Sequence, residues 1–156
     1  MIKFCLDKWN KNSDKLKEHL KNCEDLNTCD YIDLVKLVVE YIFNIDETLK
    51  FDSKNITEID DGDYQGTLLF VIPRVKYQPS EYDYLMTCVD YGSCTVCDTL
   101  QGIQSLRGGY SHEKVTETQL SDFMTLCRDI VQNTIKPYNY GWRHDPMYDP
   151  VEEKEV

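Results

Sequence analysis

The sequence predicts an α+β domain in which a three-stranded antiparallel sheet packs against about four helices, in the order α-α-β-β-β-α-α. Three observations carry that expectation. Apolar residues recur at helical spacing through the first forty or so positions. Between Ile56 and Val89 the pattern shifts to β-rich runs punctuated by Asp, Gly and Pro. Helical spacing then returns after Cys97 and holds to Ile135.

The first helix is expected in "DKWNKNSDKLKEHLKNCEDL", where Trp9, Leu16, Leu20 and Cys23 fall on one side among lysines and acids. The second, "NTCDYIDLVKLVVEYIFNID", is apolar almost all round, from Ile32 to Phe43, so it is expected to be buried, with Asn27 or Thr28 as its cap. Ile56 and Ile59 precede an Asp-Asp-Gly-Asp turn, and Thr67 to Ile72 form a β run stopped by Pro73. "YDYLMTCVDYG" alternates Tyr82, Tyr84, Met86 and Cys88 against Asp83, Leu85, Thr87 and Val89, giving the third strand. "CDTLQGIQSL" places Leu100, Ile103 and Leu106 together on a helix ended by Gly108-Gly109. The last helix carries Leu120, Phe123, Met124, Cys127, Ile130, Val131 and Ile135, with Thr116 and Gln119 spaced as a capping box and Pro137 as its stop. Residues 1–141 are thus expected to form one globular α+β domain, with 142–156 a tail whose end is disordered.

Charge narrows the partners. The chain has 156 residues, with 17 basic side chains against 28 acidic ones and a net charge of −11. Such a surface repels nucleic-acid backbones and anionic membranes and favours a basic protein surface. The start, MIKFCLDKWNKN, has no apolar stretch of signal-peptide length, and no run approaches a membrane span, so a cytoplasmic setting is expected. Seven cysteines, an odd number, fit a reducing compartment with most thiols free.

Cys94 and Cys97 form a C-x-x-C frame, and three readings compete for it. A zinc site would need more donors; the spare ones are Cys88, Cys127, His112 and His144, and a set of Cys94, Cys97, Cys88 and His112 lacks the spacing of a second pair. A redox dithiol has a helix start behind it, but Asp90 and Asp98 flank it with charge that would raise a thiol pKa. The reading that explains most is a turn, with Gly92 allowing an unusual backbone angle and Ser93, Thr95 or Asp98 capping the next helix. No nucleophile motif or phosphate loop occurs, so no enzyme activity and no cofactor is expected.

The acids are unevenly spread. Glu58, Asp60, Asp61 and Asp63 crowd one turn without the closing Glu of a calcium loop. Tyr64, Glu81, Tyr82, Asp83 and Tyr84 continue the theme. Tyrosine supplies amphipathic contact area and carboxylates pair with Arg or Lys, so these nine residues are the candidate partner-binding surface.

At "ITEIDDGDYQGTLLFVIP", "YQPSEYDYLMTCVDYGSC" and "CDTLQGIQ" the chain resembles a family of small uncharacterised proteins from bacteriophages and bacterial genomes. The shared features are a D-Y-Q-G-T strand and a Y-G-S-C-x-x-C-D-x-L turn, within residues 56–104. The family brings no assigned activity. The resemblance implies a phage or mobile-element protein acting in the bacterial cytosol. The expected function is therefore an inhibitor of a host defence or nucleic-acid-processing protein, anti-CRISPR-like, with carboxylates standing in for nucleic-acid phosphates. The partner is then a host nucleic-acid-binding effector, with no direct nucleic acid, no membrane, and either a monomer or a dimer. The alternatives are a metal- or thiol-dependent module at Cys94 and Cys97, and a phage accessory or assembly protein.

Overall fold

The computed structural model describes residues 1–44, 50–105 and 113–136. Leu106, Gly108, Gly109, His112, Pro137 and the tail 142–156, all assigned roles above, lie outside the described residues. The elements follow the expected order: α1 (Ile2–Asn22), α2 (Tyr31–Val38), β1 (Thr57–Asp60), β2 (Gly66–Pro73), β3 (Tyr84–Tyr91), α3 (Thr99–Ser105) and α4 (Glu117–Gln132).

α1 begins at Ile2, a turn ahead of the expected start, and buries Cys5, Asn12, Leu16 and Leu20 along one stripe. α2 is not capped by Asn27 or Thr28, because a short 3-10 turn, Leu26–Thr28, intervenes. Asp30 takes the cap instead, and the Asp33 carboxylate accepts its N–H at 2.9 Å to close a capping box. Asn27 is occupied elsewhere: its buried carbonyl oxygen accepts from Gln119 Nε2 at 3.0 Å, tying this turn to α4. Beyond Val38 the helix widens into a π turn, Val39–Phe43. Buried Asn12 donates to the Ile42 carbonyl there at 2.8 Å, which supplies a side-chain partner where the i→i−4 ladder is interrupted.

The sheet has the order β1-β2-β3, antiparallel throughout. The register pairs Phe70 with Thr87, Ile72 with Leu85 and Leu68 with Val89, so these side chains share the inner face. Phe70, Ile72, Leu85 and Thr87 are buried there, and the Thr87 hydroxyl donates to the Ile130 carbonyl of α4 at 2.8 Å. Phe43, Phe51, Phe70 and Phe123 are fully buried, each contributing about 1.5–3 kcal/mol of transfer free energy. The outer face carries Ile59, Leu69, Val71, Met86 and Cys88, all exposed or half-buried. β1 stands at one edge. At the other, a bridge between Met86 and Ile135 covers part of β3. α4 is capped as the spacing predicts: Gln119 N–H donates to Thr116 Oγ1, and Gln119 Oε1 accepts from the Thr116 N–H, both at 3.1 Å. No helix among the described residues is long and apolar enough to cross a membrane.

Candidate functional site

The nine candidate residues do not form one patch. β2 and β3 run antiparallel with Gly66 opposite Tyr91 and Pro73 opposite Tyr84. Glu81 to Tyr84 therefore sit at one end of the sheet and the β1–β2 hairpin at the other, about 24 Å apart along an eight-residue strand. Asp83 leaves the candidate set altogether. It is 4% exposed, and its carboxylate accepts from Ser80 N–H and Lys76 Nζ and lies 3.6 Å from Arg74. Burial opposes its charge most strongly, yet the Ser80 and Lys76 hydrogen bonds prevail and hold its pKa below the usual carboxylate value. Its role is to close a small capping box, Ser80–Asp83, at the entrance to β3.

Glu58, Asp60, Asp61, Asp63 and Tyr64 do cluster, and all five are exposed. The hairpin is shaped by its own carboxylates. Asp60 Oδ1 accepts the Gly62 N–H at 2.9 Å, and Asp61 Oδ1 accepts the Thr67 N–H at 2.6 Å. Gly62 and Gly66 pack so closely that a Cβ on Gly66 would sit 2.7 Å from Asp61 Oδ1 and 2.9 Å from the Gly62 Cα. Asp63 and Glu58 make no hydrogen bond among the described residues, leaving their carboxylates to solvent. Tyr64 is 82% exposed at the tip.

Two residues outside the nine complete this end. Tyr91 reaches across β2 to donate to Asp60 Oδ1 at 2.6 Å, passing the position where Gly66 has no side chain. The hydrogen bond lowers the Asp60 pKa, and the same contact pushes Tyr91 up to about 12. Asp90, exposed on the opposite face, accepts from the Thr67 hydroxyl at 2.8 Å. Strand alternation around Val89, set against Gly66, is the signal that places them.

Glu58 and Asp60 pair with Phe70 and Leu68, so they lie on the inner face. There they line a groove of about 560 Å³ whose other wall comes from the starts of α2 and α3, through Asp30, Tyr31, Asp98 and Gln101. Asp98 organises that wall. It is buried, and its carboxylate accepts from Gly92 N–H at 3.0 Å, Gln101 N–H at 2.8 Å and the Tyr31 hydroxyl at 3.2 Å. Of the three residues able to cap α3, Asp98 is the one that does. Burial pushes the Tyr31 phenol up to about 12.

The C-x-x-C is a turn. Cys97 N–H and Asp98 N–H both donate to the Cys94 carbonyl, at 3.2 and 2.9 Å. Gly92 is required by crowding rather than by an unusual backbone angle: a Cβ would lie 2.6 Å from the Cys97 carbonyl oxygen and 2.7 Å from its sulfur. The two sulfurs are 2.9 Å apart and exposed. Asp98 turns its oxygens onto Gly92, Gln101 and Tyr31, away from the Cys97 sulfur. The Cys94 thiol and backbone N–H instead lower the Cys97 pKa. Cys88 lies mid-strand opposite Leu69, His112 is outside the described residues, and no group of three or more potential metal ligands occurs among those described.

No family model matches the chain, and no curated protein and no solved structure is significantly similar to it.

Proposed function

We propose that the protein is a stoichiometric binder that inhibits a nucleic-acid-processing protein by presenting carboxylates to a basic groove. The observation that carries this reading is the hairpin end of the sheet. Glu58, Asp60, Asp61 and Asp63 stand exposed around Tyr64, and Asp90 lies at the same end of the sheet on its other face. Carboxylates held by an ordered hairpin lose little freedom on docking, and arginines can meet them bidentately. An exposed tyrosine at the tip supplies contact area at low entropic cost. The net charge of −11 steers the molecule toward a positive surface. The setting that fits the phage-type resemblance is the bacterial cytosol, with a host defence effector of the anti-CRISPR target kind as partner. Glu81, Tyr82 and Tyr84, at the far end, are left out of this interface.

The test is a pull-down with tagged protein from a nuclease-treated bacterial lysate, at low and high salt, followed by competition. A captured nucleic-acid-binding protein should lose its hold on a DNA or RNA oligonucleotide as this protein is added, and the capture should fail at high salt. Capture that persists in high salt, or a partner that binds nucleic acid unaffected, rules the mimicry out.

A further inference from the structure

We propose that Cys94 and Cys97 form a redox-active dithiol that closes to an intramolecular disulfide by exchange with low-molecular-weight disulfides. The two sulfurs lie 2.9 Å apart on an exposed turn, and a disulfide bond of about 2.05 Å needs them to close by less than about 1 Å. That displacement is within the reach of side-chain torsions. The backbone is already held in the bridging shape by the paired hydrogen bonds to the Cys94 carbonyl and by the Asp98 carboxylate behind them. Gly92 leaves the space against which the Cys97 sulfur rests.

The other cysteines lack this arrangement. Burial pushes Cys5 up to about 11 and Cys29 and Cys127 up to about 12, which keeps them as thiols. Cys97 has the opposite surroundings. Its sulfur accepts from the Cys94 N–H at 3.2 Å and faces the Cys94 thiol, so negative charge is best supported there. The reaction follows. The Cys97 thiolate attacks one sulfur of an incoming disulfide R–S–S–R, whose S–S bond breaks and whose departing thiolate takes up a proton. Cys94, losing its proton, then attacks the Cys97 sulfur of the mixed disulfide and expels the second RS⁻, which is protonated in turn. The protein dithiol is oxidised by two electrons and R–S–S–R is reduced to two thiols.

The experiment equilibrates the reduced full chain in graded mixtures of glutathione and glutathione disulfide. It then quenches with acid, alkylates, and maps the blocked thiols by mass spectrometry. Two of the seven alkylation sites should disappear together, both in the peptide carrying Cys94 and Cys97, and return in excess glutathione. The same equilibrium in concentrated urea is the reference, and closure in the folded chain should be favoured at least about tenfold over it. Cys94→Ser should trap a single glutathione adduct on Cys97, while Cys97→Ser should slow adduct formation on Cys94. Equal closure in urea and buffer, thiol loss that maps to other cysteines, or no loss at any ratio would each overturn the proposal. The wild-type comparison alone decides it if either variant fails to fold.

Discussion

The Tyr91 hydroxyl donates a 2.6 Å hydrogen bond to the Asp60 carboxylate, joining the two edge strands across the face of β2. It is a rivet between strands with no direct ladder contact, and it fixes one acid of the candidate interface. Replacing Tyr91 with phenylalanine keeps the ring and removes the donor. The Asp60 carboxyl should then titrate at higher pH than in the wild type, closer to an ordinary aspartate. Side-chain carboxyl carbon shifts followed by NMR read this directly, and an unmoved midpoint would show that the bond does not form in solution.

Charge reversal at the interface has to respect the hairpin. Asp60 and Asp61 hold the turn through Gly62 and Thr67, so changing them would confound binding with folding. Glu58→Lys and Asp63→Lys together avoid that, since neither carboxylate makes a hydrogen bond among the described residues. Association with a captured basic partner should weaken about five- to tenfold at physiological salt, with a shallower salt dependence. Unchanged affinity would place the interface elsewhere.

Asp83 gives the protein an acid-sensitive joint. Its native pKa is lowered, so its contribution is complete at neutral pH and is lost as pH falls through the native value. Asp83→Asn should cost about 1–3 kcal/mol at pH 7 in urea denaturation. The gap between variant and wild type should close as pH drops below the carboxylate range. A gap that persists in acid would mean that the loss comes from packing.

Asp98→Ala removes the α3 cap, the tether to Gly92 and the partner of Tyr31 in one step. A loss of about 2–4 kcal/mol is expected, and Asp98→Asn should recover part of it because an amide oxygen still caps. Equilibrium unfolding by circular dichroism measures both.

The order of elements was legible because each kept its own period. Leu100 and Ile103, or Leu85 and Val89, point one way only at the right spacing. The capping box at Thr116 and Gln119 was readable for the same reason, being local. The π turn at Val39–Phe43 was not, since an almost uniformly apolar run has no phase in which an extra residue shows. The candidate site was half legible. Acids at 58–63 share a hairpin, so chain proximity and spatial proximity coincide. Glu81 to Tyr84 follow only one strand later, but an antiparallel return carries them to the other end of the sheet. Asp83 had a readable clue in Ser80, three residues before it, which is capping-box spacing.

The short acidic edge strand also bears on crowding by its own kind. Glu58 and Asp60 project from β1, at an edge whose outer side has no strand beside it among the described residues. Two copies meeting edge to edge would bring these carboxylates to within about one or two strand spacings, roughly 5–10 Å, of their counterparts. Each copy would thus repel the next before a shared ladder could form. The same border is open to a strand that carries lysine or arginine. Self-templating is discouraged by the charges that would invite a foreign chain, so the edge sorts its neighbours by sign.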